Sequence, residues 1–434
     1  MPQRTPLLVA GTLALGIAAA PPPAAASPTA EDDPAPADTA SPPAGSPGRK
    51  PSVPVPSLAK IVELARERAP AVAAGRAAVD VSRTALVGAR LPPLGNPYLE
   101  VFSDRGGQNA TRDVTVQSNL WLPLDVSGQR DKREAEARAL VEWQGAELDT
   151  TRAAAAAEAV RAYGQLVIAG ARIRTVEELS LVAGEEASYY EQRLDAGDAT
   201  LADTRLAELE RAKHDVSLAE AKADRTRALA ALGLATGTTY TDAPDASAQP
   251  PAPRAGAAPK DTAELPAVRA SAAQAEFHAR EKDRQAVEAH APLNLIVTVG
   301  RGDLGEVRLG GGIAWTLPLL RTNQGEQARA EASRAKASLE RDLKERTAAV
   351  AAAALVAERA RVREALDTLT RVAEPAAEAA VEAAVATQAA GKGDLLRVLS
   401  ARRDLALLRA RRLDLLQREW NIVGDLVALT GELP

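Results

Sequence analysis

The sequence predicts a mainly helical protein with a small β part, in which one helix–hairpin–helix unit occurs twice. Three observations lead to this fold class: internal similarity at a fixed offset, long stretches without helix breakers, and paired segments with alternating apolar and polar residues. The similarity is clearest between residues 197–237 and 391–431, each of which starts at the Gly of an Ala-Gly pair and closes on Thr-Gly. Both ends differ by 194 residues (391 − 197 and 431 − 237), which indicates a tandem duplication of one large unit.

The first 26 residues have the order of a secretory signal peptide. Arg4 gives a positive start, residues 7–20 are apolar, and three alanines at 24–26 offer a cleavage site. The apolar stretch is too short to cross a membrane as a helix. An apolar, Ala-rich disordered start is the alternative, and we expect cleavage near Ala26.

Composition divides the remaining chain into two repeats and two linkers. Residues 27–56 and 241–262 are biased towards Pro, Ala, Ser and Asp, which bury little surface and predict disorder. The first repeat therefore spans residues 57–240, and the second spans residues 263–434.

Charge and cysteine content exclude several classes of protein. The net charge is 53 − 58 = −5 and is spread along the chain, whereas a nucleic-acid surface needs clustered positive charge. Cysteine is absent, so neither disulfides nor an N-terminal lipid anchor on cysteine are expected. The mature chain has no run of eighteen apolar residues, so we expect no transmembrane helix.

Helices are predicted on both sides of each strand pair. Residues 128–195 contain no strong breaker, and a continuous helix there would be about 100 Å long at ~1.5 Å per residue. Such a length is typical of coiled-coil rods and tunnels. Pro375, in the second repeat, should kink or interrupt the corresponding helix. Apolar residues with the 3.5-residue period of a coiled coil are Leu413, Leu416, Trp420, Val423 and Val427.

Each repeat contains one pair of strand-like segments. The first pair is predicted at about 97–104 and 113–122, and the second at about 293–301 and 307–317. Apolar and polar residues alternate in these segments, as in strands with one apolar face. Their length is close to the ~9–11 residues that cross a bilayer at a tilt.

A membrane interpretation assigns the two strand faces to different surroundings. Four strands cannot close a barrel and open sheet edges are not tolerated in lipid, so oligomerisation would be needed. Three copies would give a twelve-stranded barrel. Two hairpins packed on a soluble coiled coil are the alternative. The expected lumen residues are Thr115, Gln117, Asn119 and Arg308. The expected lipid-facing residues are Val114, Val116, Leu120, Leu295, Val297 and Leu309.

Motifs at the reversal between the long helices resemble those of the TolC family of outer-membrane efflux factors. Residues 193–201 read Arg-Leu-Asp-Ala-Gly-Asp-Ala-Thr-Leu, close to the family's Arg-Leu-x-x-Gly, small residue, Leu. Residues 387–396 lack the Arg-Leu pair, whereas residues 123–130 resemble the family's strand-to-helix junction. The resemblance covers residues 57–434. With Asn96-Pro97 and the interruption at Pro375, it is closer to the heavy-metal-resistance branch than to the multidrug branch.

The resemblance implies a homotrimer in the outer membrane of a Gram-negative bacterium, with a large periplasmic part. Twelve strands would form a barrel in lipid, and helices would form a tunnel that meets a periplasmic adaptor and, through it, an inner-membrane pump. The implied adaptor-docking residues at the turns are Arg193, Leu194, Gly197, Leu201, Gly391 and Leu395. Asp198 and Asp394 could line the tunnel mouth and favour cations. The alternative is that each of these aspartates starts the next helix.

No catalytic, cofactor or metal site is expected from the sequence. His214, His278 and His290 have no partner at a distinctive metal-ligand spacing, and Met1 is the only methionine. The leading hypothesis is therefore a passive export duct of a tripartite efflux system, which is not an enzyme. A soluble periplasmic coiled-coil scaffold or adaptor is the second hypothesis, and membrane fractionation separates the two.

Overall fold

The computed structural model describes residues 54–91, 95–105, 114–241, 249–252, 261–290, 293–301, 306–390, 392 and 394–433. The predicted signal peptide and most of both predicted linkers lie outside these residues. The first repeat contains α1 (Leu58–Arg68), α2 (Pro70–Ala89), β1 (Tyr98–Arg105), β2 (Val114–Leu124), α3 (Gln129–Asp195) and α4 (Leu201–Thr236). The second contains α5 (Pro266–Glu288), β3 (Leu293–Arg301), β4 (Val307–Ala314), α6 (Gln324–Thr368), α7 (Glu374–Ala389) and α8 (Leu395–Thr430).

The long helix expected after the first hairpin is α3, which runs unbroken for 67 residues. It starts after Gly128, whose φ of 70° is left-handed, and two backbone amides at its start are capped by the carboxylate of Asp125. Gln129 N and Arg130 N donate to the two Asp125 oxygens at 3.0 and 2.7 Å. At 1.5 Å per residue the helix is about 100 Å long, as predicted. In the part of the chain that the structure describes, no helix is both long and apolar enough to cross a membrane.

The second repeat has the predicted interruption. Between α6 and α7, residues Leu369–Ala373 form one turn of π-helix. Pro375 lies in the first turn of α7, and it has no amide hydrogen to donate to the turn before it. The irregular backbone therefore lies ahead of the proline, because it is the preceding turn that loses its hydrogen-bond partner.

The four strands form one antiparallel sheet in the order β1-β2-β3-β4. Pairing across β2 and β3 sets the strand ends. Leu124 pairs with Leu293, so β2 ends two residues beyond the predicted 113–122. Ala314 pairs with Asn294, and β3 offers only Leu293 beyond that point. The predicted extension of β4 to residue 317 was therefore wrong. The two strands are antiparallel, so β4 runs out of partner residues where β3 begins.

The main core follows the predicted coiled-coil seam. Trp420, Val423 and Val427 of α8 are almost completely buried, and they pack with Val160 and Tyr163 of α3. The rings of Trp420 and Tyr163 have centroids 5.7 Å apart. Since α3 belongs to the first repeat and α8 to the second, this seam joins the two repeats.

The few described residues between the repeats pack against a buried ion-pair cluster. Pro250 is buried, and the carbonyl oxygen of Pro251 accepts hydrogen bonds from Arg359 and Arg363 of α6. Both guanidinium groups bond to one carboxylate oxygen of Glu419 in α8, at 3.2 and 2.6 Å. For residues 249–252 the expectation of a disordered linker is wrong, because buried arginines hold this piece of backbone.

Candidate channel faces and tunnel tip

The strand register places the apolar strand residues on one side of the sheet, which we call the apolar sheet face. Leu120 pairs with Val297 and Leu99, and Val297 pairs with Gly311. The exposed members of the face range from 37% for Leu120 to 78% for Leu309. They are Leu99, Val101, Val116, Leu120, Leu124, Leu295, Val297, Val299, Val307, Leu309 and Ile313.

Five of the six expected lipid-facing residues belong to the apolar sheet face. The sixth, Val114, is the first residue of β2, and its side chain lies outside the described part of the structure. A continuous exposed apolar surface of this kind is typical of an interaction with lipid or with another protein surface.

The opposite side, the polar sheet face, carries Thr115, Gln117, Asn119 and Arg308, as expected. Asn119 is 7% exposed, and its amide oxygen accepts hydrogen bonds from Gln117 and from Thr298, both at 3.0 Å. Along β3 the apolar-face residues are exposed and those between them are half-buried. Side chains on the polar sheet face therefore shield one another more than those on the apolar sheet face.

The reversal between α3 and α4 is a Schellman turn. Asp198 N donates to Arg193 O at 2.7 Å, Gly197 N donates to Leu194 O at 3.0 Å, and Gly197 has a φ of 79°. A left-handed residue at this point favours glycine. The duplication repeats the outer bond, since Lys392 N donates to Thr387 O at 3.1 Å. Gly391 itself lies outside the described residues.

Arg193 does not extend freely from the tip. Its guanidinium carbon lies 5.6 Å from the ring centroid of Tyr189, and its Nη1 donates to the Tyr189 hydroxyl at 3.4 Å. The Tyr189 hydroxyl in turn donates to a carboxylate oxygen of Asp394 at 2.9 Å. This chain connects the tips of the two repeats. Sequence reasoning missed Tyr189, although its position one turn before Arg193 was a usable signal.

The two tip aspartates have different surroundings. Asp394 is the N-cap of α8, where its carboxylate also accepts from Leu396 N at 3.4 Å. Asp198 is exposed and does not cap α4. That role belongs to Thr200, which forms a capping box with Asp203. The helix-start interpretation is therefore right for Asp394 and wrong for Asp198.

Ion pairs join α3 to α8 along the helical part. Arg161–Asp425, Arg172–Asp414, Glu178–Arg409 and Glu185–Arg402 are 2.6–2.8 Å apart, and Glu186 also pairs with Arg403. We call this set the α3–α8 ladder. Its members are mostly half-exposed, so each pair contributes little stability alone. Together they fix the register of the first repeat against the second.

An open groove lies beside the ladder close to the tip. Its volume is about 710 Å³, and its floor is formed by the small residues Ser180, Gly184 and Ser188 of α3. Tyr189 and Leu395 also line the groove. Leu201, the first residue of α4, is 59% exposed. Of the expected docking residues, Leu395 therefore lines the groove directly. Among the described residues, no three His, Cys, Asp or Glu side chains are grouped as metal ligands.

Comparisons with known proteins agree with this architecture. The family model for outer membrane efflux proteins matches residues 61–238. The cobalt-zinc-cadmium resistance protein CzcC of Cupriavidus metallidurans is 27% identical over 369 residues, covering 81% of this chain and 84% of that protein.

Solved structures have the same fold at low sequence identity. The outer membrane protein VceC of Vibrio cholerae superposes with a TM-score of 0.67 at 19% identity, covering 86% of this chain and 94% of that one. The CmeC outer membrane channel of Campylobacter jejuni gives 0.68 at 16% identity, covering 86% and 85%. The chain is thus similar to outer membrane efflux proteins over its first repeat and to CzcC over most of its length, and it shares the fold of solved outer-membrane channels.

Proposed function

We propose that this chain forms the outer-membrane channel of a tripartite efflux system, as a passive homotrimeric duct for divalent transition-metal cations. The observation that carries the proposal is the strand register, which gives one sheet an exposed apolar face and a hydrogen-bonded polar face. Long helices without an apolar span continue from the same sheet. This combination suits a protein that contacts lipid through strands and water through helices.

The incomplete sheet supports the trimer. β1 and β4 are the outer strands of the sheet, and each pairs on one side only among the described residues. In lipid, such edges have no water to satisfy their amide and carbonyl groups. Pairing β4 of one copy with β1 of the next removes every edge once the ring closes. Three copies then contribute twelve strands.

The proposal of a metal cargo rests on the relative CzcC, whose name refers to resistance to cobalt, zinc and cadmium. This chain has no cysteine, and Met1 is its only methionine. Soft ligands that would hold such cations tightly are therefore missing from the mature chain. A duct benefits from weak contacts, since a cation that binds tightly leaves slowly.

The tip is the proposed contact surface for a periplasmic adaptor. The groove beside Leu395 offers small residues at its floor and polar groups along its sides, as an approaching helix needs. Leu201 adds an exposed apolar side chain next to the turn. Arg193 is already engaged by Tyr189, so we assign it to positioning the turn rather than to direct contact with the adaptor.

Assembly in lipid tests the channel. Val297→Arg places a charge on the apolar sheet face and should destabilise the inserted protein by ~2–4 kcal/mol if it lies near the midplane. Gly312→Arg is the matched control, because a side chain there meets open space on the other face. The measurement is the fraction of protein that migrates as trimer from outer-membrane extracts. Equal fractions for both variants contradict the assignment of faces.

Docking is tested by crosslinking a cysteine placed at Asp198 to the adaptor while metal resistance of the cells is scored. Leu201→Glu and Gly197→Val should abolish both crosslinking and resistance, yet leave trimers in the outer membrane. Arg193→Glu should do the same because it places a second carboxylate near Asp394. Gln388→Glu, on the last turn of α7, is the control and should leave both unchanged. Normal crosslinking by the Leu201 and Gly197 variants would exclude this turn as the docking surface.

A further inference from the structure

The polar sheet face holds one carboxylate in a fixed position. Glu100 of β1 accepts hydrogen bonds from Asn119 Nδ2 at 3.4 Å and from Trp121 Nε1 at 3.2 Å. Trp121 is itself stacked on Tyr98, with ring centroids 5.2 Å apart and planes 11° apart. Two neighbouring strands therefore orient the Glu100 carboxylate, whereas a long acidic side chain on a surface normally samples many rotamers.

The hydrogen-bond donors to Glu100 are neutral. An amide and an indole both donate to its Oε2 atom, and neither group carries a charge. None of the ion pairs among the described residues involves Glu100. Arg308 on the same face lies three strands away in β4, and it is paired with Glu306 at 2.5 Å. Glu100 thus has no ion-pair partner among the described residues.

The position of Glu100 places it where the sheet joins the helices. It is the third residue of β1, which is roughly 7 Å from the strand's start at ~3.3 Å per residue. That start follows α2 through a short connection. In a closed ring of three copies, three such carboxylates would lie at one level, at the base of the barrel.

We propose that Glu100 is a specificity-determining residue that gives the barrel itself a preference for cations. The inference rests on the proposed channel function and deepens it. A passage with walls of low dielectric focuses the field of fixed charges, so a ring of carboxylates raises the local cation concentration and repels anions. Because Asn119 and Trp121 hold the carboxylate in place, its field acts at a constant depth.

This assignment differs from selection at the tunnel mouth. Asp198 and Asp394 lie at the far end of α3, about 100 Å away along a helix of 67 residues. At physiological ionic strength the screening length is about 8 Å, so the two ends act independently. A charge change at Glu100 therefore reports on the barrel alone.

The test uses purified trimers in planar bilayers, with the permeability ratio of K⁺ to Cl⁻ measured from the reversal potential in a KCl gradient. Glu100→Gln should lower the ratio about twofold or more, since it removes every member of the ring. Glu100→Asp should keep it above that of the Gln variant. An unchanged ratio for Glu100→Gln overturns the proposal. A wild-type protein that conducts no ions refutes the channel function instead, so the two failures are distinguishable.

A second measurement avoids comparing separately folded variants. The chain contains no cysteine, so Glu100→Cys supplies a single thiol in an assembled channel. A negatively charged methanethiosulfonate reagent should restore the cation preference, and a positively charged one should reverse it. Ser103→Cys, three residues along β1 on the apolar side, is the control, and its modification should not change the ratio. Absence of reaction at position 100, or equal ratios after both reagents, also overturns the proposal.

Discussion

The carboxylate of Glu419 pairs with two arginines from α6, one of them buried and one at the edge of solvent. The side chains of Glu419 and Arg359 are both 4% exposed, whereas that of Arg363 is 36% exposed. Burial lowers the pKa of the Arg359 guanidinium, and its hydrogen bond to Glu419 acts in the opposite direction. Glu419→Gln keeps the shape of the side chain and removes the charge that compensates Arg359.

The expected effect follows from leaving one buried charge without a partner. Removing one member of a buried ion pair typically destabilises a protein by about 3–5 kcal/mol. The matched control is an ion pair that joins the same two helices, α6 and α8, at the protein surface. Arg418 and Glu358 are 2.7 Å apart, with side chains 62% and 38% exposed, and such pairs contribute about 0–1 kcal/mol. Glu358→Gln should therefore change the free energy of unfolding by less than about 1 kcal/mol.

Urea unfolding of the purified protein in detergent, followed by helical circular dichroism, measures both variants on one scale. The midpoint for Glu419→Gln should fall well below that of the wild type, and the midpoint for Glu358→Gln should stay near it. If the two variants shift the midpoint equally, the Glu419 cluster is effectively solvated, and the reasoning from burial fails.

Two further predictions concern packing and pH. A Cβ atom at Gly164 would lie 2.5 Å from Trp420 Cγ, so Gly164→Ala should destabilise the protein by about 1–3 kcal/mol in the same urea assay. Gly184→Ala on the same helix, where a Cβ meets open space, should stabilise it by about 0.5–1 kcal/mol, and equal shifts would contradict the proposed close contact. Hydrogen bonds from the hydroxyl and amide of Thr200 lower the pKa of the Asp203 carboxyl. Its contribution to the capping box is thus present above the ordinary carboxyl pKa and is lost as the pH falls through the lowered value. The protection factors of the amides at the start of α4, corrected for the intrinsic exchange rate at each pH, should fall on acidification, and Asp203→Asn should remove most of that pH dependence.

The sequence predicted the parts of the fold that depend on local pattern. The absence of breakers between residues 128 and 195 was enough for α3, because helix continuity is decided within a few turns. The seam at Trp420 and Val423 followed from its 3.5-residue period. The alternation within β2 and β3 gave the two sheet faces, since side-chain direction in a strand has period two. These features need no knowledge of which elements are neighbours.

Other features required knowledge of which helices meet. The bond between Tyr189 and Asp394 joins residues 205 positions apart, and no local pattern fixes the register of α3 against α8. The contact of Pro251 with Arg359 spans 108 positions. The biased composition of this segment predicted disorder. Composition does not reveal that a single carbonyl group accepts a hydrogen bond from a buried guanidinium group. The motif predicted that Arg193 docks an adaptor, whereas in the structure its guanidinium group lies over the ring of Tyr189.

The α3–α8 ladder has a consequence for the order in which the protein can form. Its pairs connect residues 217 to 264 positions apart, so α8 leaves the ribosome long after α3. Until then, α3 exposes both its carboxylates and the apolar side that later covers Trp420. Contacts of such high sequence separation close slowly, and exposed apolar helices aggregate at ordinary protein concentrations. The chain should therefore spend a measurable time with the apolar side of α3 uncovered, and its yield on refolding should fall as the protein concentration rises.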